Sequence, residues 1–147
     1  LEGTCIHRSQ NLLVVKREDG SFRGLAWNPD NDGKGGTLEL SLTMENVENG
    51  KYCKITKIVD ETHGNPLSVW HDLGEPANPT REECALLRET ARPYVTTTSI
   101  EAADGMLTTT MKLEKNGIQA FELRPVECSQ DAGYDYEKVL SQRVGSR

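Results

Sequence analysis

Strict alternation of apolar and polar side chains is the feature that most restricts this chain. Leu38, Leu40, Leu42 and Met44 alternate with Thr37, Glu39, Ser41, Thr43 and Glu45. Leu107, Thr109, Met111 and Leu113 alternate in the same way with Thr108, Thr110, Lys112 and Glu114. Successive side chains of a strand point to opposite faces, so each run reads as a strand with one dry and one wet face. Further strands are predicted at Leu12 to Lys16, Phe22 to Asn28, Tyr52 to Val59, Tyr94 to Glu101 and Ile118 to Arg124. These are rich in the branched and aromatic residues that suit a pleated, half-buried surface.

Turn chemistry separates the strands. Asp19-Gly20 and Asn116-Gly117 are hairpin signals, because both dipeptides accept positive φ. Glu48-Asn49-Gly50 and Ala103-Asp104-Gly105 repeat the theme. Short strands with one wet face and close turns favour antiparallel over parallel pairing. The expected fold is all-β: an antiparallel β-sandwich of about seven to nine strands with one short helix.

That helix is predicted near residues 81–91. Thr80 and Glu83 have the S/T-x-x-E spacing of a capping box, and Pro93 closes the segment. Cys84, Leu87 and Ala91 share one helical face, expected to rest on the sandwich. The organisation read from this pattern is an N-terminal segment at 1–10, a sandwich at 11–128 and a tail at 129–147. Within the tail, Tyr134 to Arg143 reads as a short helix or a mobile end.

The chain of 147 residues fits one domain that can fold without a metal or a disulfide. Its net charge of −6 argues against nucleic acid or an anionic membrane, which need clustered Lys and Arg. No apolar run reaches the roughly 18 residues of a membrane-spanning helix. Leu1-Glu2-Gly3 has neither the basic nor the apolar region of a signal peptide and no initiator Met. The chain therefore reads as a processed product or a piece of something longer, with secreted and cytoplasmic locations both open. Cys5, Cys53, Cys84 and Cys128 contain no C-x-x-C pair, so a structural zinc site is not expected. They are buried thiols or up to two disulfides, with Cys5 and Cys128 the first pair to test.

Candidate sites were weighed against plainer readings. Asn28, Asp30, Asp32 and Glu39 fit the spacing of a calcium loop, with Gly33 at the sharp turn. The flanks read as strands rather than helices, and the plainer reading is a Gly-rich loop with solvated acids. Trp70, Tyr52 and Tyr94 are candidate sugar-stacking rings, while Trp27 alternates with Leu25 and reads as core. Ser68, His71 and Asp72 can be written as a triad, but no nucleophile elbow surrounds Ser68. His7, His63 and His71 lack the spacing of a metal motif such as H-E-x-x-H. Between Asp60 and Thr80, prolines 66, 76 and 79 forbid a regular strand, and Trp70 is the natural anchor of an irregular loop. Asp60 and Asn65, with His63 and His71, are suited to capping its turns.

The same stretch carries a resemblance. Asp60, Glu61, His63, Asn65, Trp70, Gly74, Pro76, Pro79 and Thr80 stand in the pattern D-E-x-H-x-N-x-x-x-x-W-x-x-x-G-x-P-x-x-P-T. It resembles the C-terminal accessory sandwich of family-39 glycoside hydrolases of the β-xylosidase type, and the likeness extends from about Asn11 to Pro125. Such enzymes are retaining glycosidases with two Glu side chains about 5 Å apart. Those residues sit on a (β/α)8 barrel of about 250 residues, for which this chain has no room. The resemblance therefore implies a non-catalytic role, with the parent's barrel as partner in xylan breakdown. Gly74-Glu75-Pro76 looks like an acid/base triplet only superficially, since the preceding Asn is missing. Two alternatives stand beside this reading: a module that itself binds xylan or xylo-oligosaccharide, and an oligomerisation domain that self-associates.

Overall fold

A computed structural model describes residues 2–126; Cys128 and the predicted tail element at Tyr134 to Arg143 lie outside the described residues. Eight strands and two short helices follow in the order β1 (Thr4–Arg8), β2 (Leu12–Lys16), β3 (Phe22–Trp27), β4 (Leu38–Glu45), β5 (Gly50–Val59), α1 (Leu67–Asp72), α2 (Arg81–Thr90), β6 (Tyr94–Ala102), β7 (Met106–Leu113) and β8 (Ile118–Pro125). They form a six-stranded sheet, β1-β2-β3-β8-β5-β6, faced by a two-stranded sheet, β4-β7. All pairings are antiparallel, as the sandwich reading requires.

The core is the dry side of that alternation. Leu42, Met44, Leu107, Met111 and Leu113 of the small sheet pack against Leu12, Val14, Phe22, Phe121 and Leu123 of the large one. In the small sheet, Leu38 stands opposite Leu113, Leu40 opposite Met111 and Met44 opposite Leu107, so one face is apolar except for Thr109, which stands opposite Leu42. Gly24 lies opposite Phe121, and a Cβ there would fall 2.1 Å from Phe121 Cζ. The missing side chain is the space that the phenyl ring occupies.

Asp19-Gly20 forms the hairpin predicted for it, between β2 and β3. Gly20 has φ of +76°, and Asp19 Oδ1 accepts from the Ser21 amide at 3.0 Å. The other turn signals serve a different purpose. Asp104-Gly105 and Asn116-Gly117 carry the chain from one sheet to the other, as does the connection from Asn46 to Gly50. A positive-φ turn reverses the chain either way; only packing decides whether the flanking strands pair.

Three elements differ from expectation. Thr4–Arg8 is an additional strand, paired with β2 through a bulge between Cys5 and His7, inside the segment set outside the sandwich. A second helix, α1, forms inside the stretch read as loop. The capping box is present as predicted: Thr80 Oγ1 accepts from the Glu83 amide at 3.2 Å, and Glu83 Oε2 accepts from the Thr80 amide at 2.7 Å. The helix it starts does not settle on the sandwich. Helix α2 touches α1 and buries no side chain, with Cys84 and Leu87 half-buried and Ala91 exposed.

Candidate functional site

The segment from Asp60 to Pro93 leaves the large sheet at the end of β5 and returns at the start of β6. Its hub is Asp60, whose side chain is only 7% exposed. Asp60 Oδ1 accepts from the amides of Thr62 and His63, each at 2.8 Å, and from Thr62 Oγ1 at 2.9 Å. His63 Nδ1 lies 3.0 Å from the same oxygen. Burial pushes the Asp60 carboxyl up, but these donors outweigh it and hold the group below the usual carboxylate range. The His63 ring stacks on Tyr94 with centroids 4.8 Å apart, tying the exit of β5 to the entry of β6.

Beyond the hub, Asn65 Oδ1 accepts from the Leu67 amide at 3.0 Å in the turn before α1, whose N-cap is Pro66. Asn65-Pro66 was the available signal for this element, since an Asn-Pro pair favours turn initiation. Trp70 is half-buried, and its indole N–H donates to the Pro76 carbonyl at 3.3 Å. Asp60, His63, Asn65 and Trp70 are thus brought together as the frame of one excursion.

No acid/base pair emerges from it. His71 Nδ1 is engaged by Glu75 Oε1 at 2.6 Å, so the written triad with Ser68 and Asp72 is not assembled. Glu75 sits in a left-handed turn with φ of +56°. A cleft of ≈ 570 Å³ opens between β1–β2 and the edge of β4, floored by Leu12, Val14, Phe22 and Met44. Among the described residues its lining carries one carboxylate, Glu45.

The loop from Asn28 to Glu39 is knit by its own hydrogen bonds. Asn28 Nδ2 donates to the carbonyls of Gly36, Leu113 and Glu114 at 2.8, 3.3 and 3.2 Å. Asp30 Oδ1 accepts from the Gly35 amide at 2.8 Å, and Oδ2 pairs with Lys115 Nζ at 3.2 Å. Asp32 holds the Lys34 amide at 3.3 Å, and Glu39 stands opposite Lys112 on the wet face of β4. Among the described residues no three His, Cys, Asp or Glu side chains cluster as metal ligands. The Asp30 and Asp32 oxygens of this loop are engaged by its own backbone amides and by Lys115.

The aromatic set is also reduced. Tyr52 is 3% exposed in the core, with its hydroxyl donating to the Glu48 carbonyl at 3.2 Å, so it is no stacking platform. Tyr94 is 52% exposed, with His63 against its ring. Cys5, Cys53 and Cys84 are free thiols, and no disulfide occurs among the described residues. The pairing of Cys5 with Cys128 lies outside them.

The face opposite the core also carries apolar side chains. The inward residues of β3 and β8 are Phe22, Gly24, Ala26, Phe121 and Leu123, so Leu25, Trp27 and Ile118 point the other way. Trp27 is corrected from core to this outer face, where it is half-buried. Register aligns Trp27, Ile118 and Val59 in one row across β3, β8 and β5. A second row runs Leu25, Ala120, Lys57 and Val95. Ile118 is 45% and Val95 53% exposed, and neither the small sheet nor any other described strand lies over them.

The comparisons bear on this architecture directly. The model of glycosyl hydrolases family 39 matches residues 26–108. The chain belongs to this family. A β-xylosidase of Geobacillus stearothermophilus is 31% identical over 139 residues, covering 92% of this chain and 27% of that protein. The fold recurs in a family-39 enzyme of Xanthomonas axonopodis pv. citri, with TM-score 0.69 and 19% identity over 86% of this chain and 28% of that one. It recurs again in a monomeric β-xylosidase of Caulobacter crescentus, with TM-score 0.62 and 15% identity over 81% of this chain and 27% of that one. The chain thus spans about a quarter of the length of each of these family-39 relatives.

Proposed function

We propose that this family-39 chain is a non-catalytic accessory sandwich that supports the catalytic barrel of a β-xylosidase-type hydrolase acting on xylan. The observation that carries the reading is the outer face of the six-stranded sheet. Its row Trp27–Ile118–Val59 is apolar on the side away from the core, and the row Leu25–Ala120–Lys57–Val95 is apolar but for Lys57. A sheet face of this composition is stable when another layer covers it. The barrel of a longer family-39 polypeptide is the layer this reading assigns, with Arg23, Glu122 and Arg124 as the polar margin of the contact. The role is to bury barrel surface and hold its helices in place.

Pure chain is expected to release no nitrophenol from an aryl xyloside at any pH. Turnover that survives rigorous purification would overturn the reading. The carbohydrate-binding alternative retains Tyr94 and half-buried Trp70 but loses Tyr52 to the core. Sugar rings need an exposed aromatic plane, so titration with xylo-oligosaccharide is expected to produce no heat.

A further inference from the structure

Among the described residues the two sheets expose four edges, and three of them carry an obstacle to pairing. β1 is short, bulged between Cys5 and His7, and ends on Arg8. β4 carries Glu39 and Glu45. On β7, Lys54 reaches across from the large sheet and donates to Thr109 Oγ1 at 2.9 Å and to the Thr110 carbonyl at 2.6 Å. An inward-pointing lysine, a bulge and edge charges are the devices by which sheets avoid adding strands.

β6 is the least obstructed, its one charge being Glu101 beside its C-terminal end. It is nine residues long, regular in register with β5 from Tyr94 to Ala102, and free of charge, proline and glycine from Tyr94 to Ile100. Of these nine residues only Ala102 is buried, so little stands over either face of the strand.

We propose that β6 is a self-pairing edge, joining two copies of this chain antiparallel about a two-fold axis at Thr98. Paired residues in antiparallel strands share a face, so this register sets Thr98 opposite Thr98, Thr97 opposite Ser99 and Thr96 opposite Ile100. Thr–Thr and Thr–Ser pairs are favourable cross-strand neighbours. The only charge, Glu101, meets Val95 of the second copy instead of another carboxylate. Two six-stranded sheets become one of twelve. The inference is independent of barrel docking, which uses the sheet's face rather than its edge. The Caulobacter crescentus relative is monomeric but shares only 15% identity, so its β6 composition is not fixed by this sequence.

Sedimentation velocity of the whole chain, from micromolar to millimolar, is the test. A concentration-dependent dimer is expected, together with slower amide exchange in residues 94–102 as concentration rises. Thr98→Glu places two carboxylates face to face across the axis and is expected to weaken the dimer roughly tenfold or more. Within one copy the new carboxylate lies opposite Lys54, so the fold tolerates it. Thr43→Glu on β4 is expected to leave the dimer intact. A monomer at every concentration overturns the proposal. So does a dimer that Ile118→Lys abolishes while Thr98→Glu does not, which would place the contact on the outer face. Protection of 94–102 that is the same at all concentrations also overturns it, since another segment would then cover the edge.

Discussion

Gly24 and Phe121 face each other across the β3–β8 ladder, and the pair works only because one partner has no side chain. Gly24→Ala would drive a methyl into the Phe121 ring, at 2.1 Å, with the Leu13 carbonyl only 2.8 Å away on another side. Overpacking of this kind costs about 1–3 kcal/mol, which urea denaturation would show as a lower midpoint at unchanged slope. Asp60 makes a pH-dependent contribution instead. Its carboxyl titrates lower in the folded chain than in the unfolded one, because Thr62 and His63 donate to the ionised form. Its stabilisation is therefore complete above about pH 4 and is lost as pH falls through the folded value. Denaturation of Asp60→Asn measured from neutral to acid pH is expected to start from lower stability and to fall less steeply than the parent chain.

At the scale of elements, the strands and the helical excursion are held by different forces. β3, β8 and β5 share a packed core, whereas α1 and α2 bury no side chain and rest on caps and turns. Elements with few buried apolar contacts open locally at low free energy. Amide exchange is expected to be fast across residues 67–90 and slow in β3, β5 and β8. Thr80→Ala removes one half of the capping box, a loss of about 1 kcal/mol of helix stability. The expected signature is faster exchange confined to residues 81–90, with the sandwich strands unchanged. If β5 slowed or quickened with it, the excursion would be part of the cooperative core.

For the whole molecule, the geometry separates three surfaces. The core joins the sheets, the outer face of the large sheet is the surface proposed to dock, and the β6 edge is the strand proposed to pair. Lys54 shows how finely the edges are managed. Its ammonium is partly desolvated between the sheets, which lowers its pKa, yet it caps the backbone of β7 from across the sandwich. Nothing near Lys54 in sequence announces that role, since Thr109 and Thr110 are distant along the chain. Glu75, the one carboxylate in a glycosidase-like triplet, is committed to His71.

The sequence by itself determined the strands, the capped helix and the turns, because alternation and turn chemistry are local and periodic. It determined the Asp60–Thr80 pattern, through which the family was legible. It left out β1, whose five residues show no alternation, and α1, whose single cue was Asn65-Pro66. Tertiary structure decided which strands pair, and therefore which turns cross between sheets. It moved Tyr52 into the core and Trp27 to the outer face, since alternation says that two faces exist but not which one is buried. It also turned the oxygens of the Asn28–Glu39 loop toward backbone amides and Lys115, because donors distant in sequence reach them only in the folded chain.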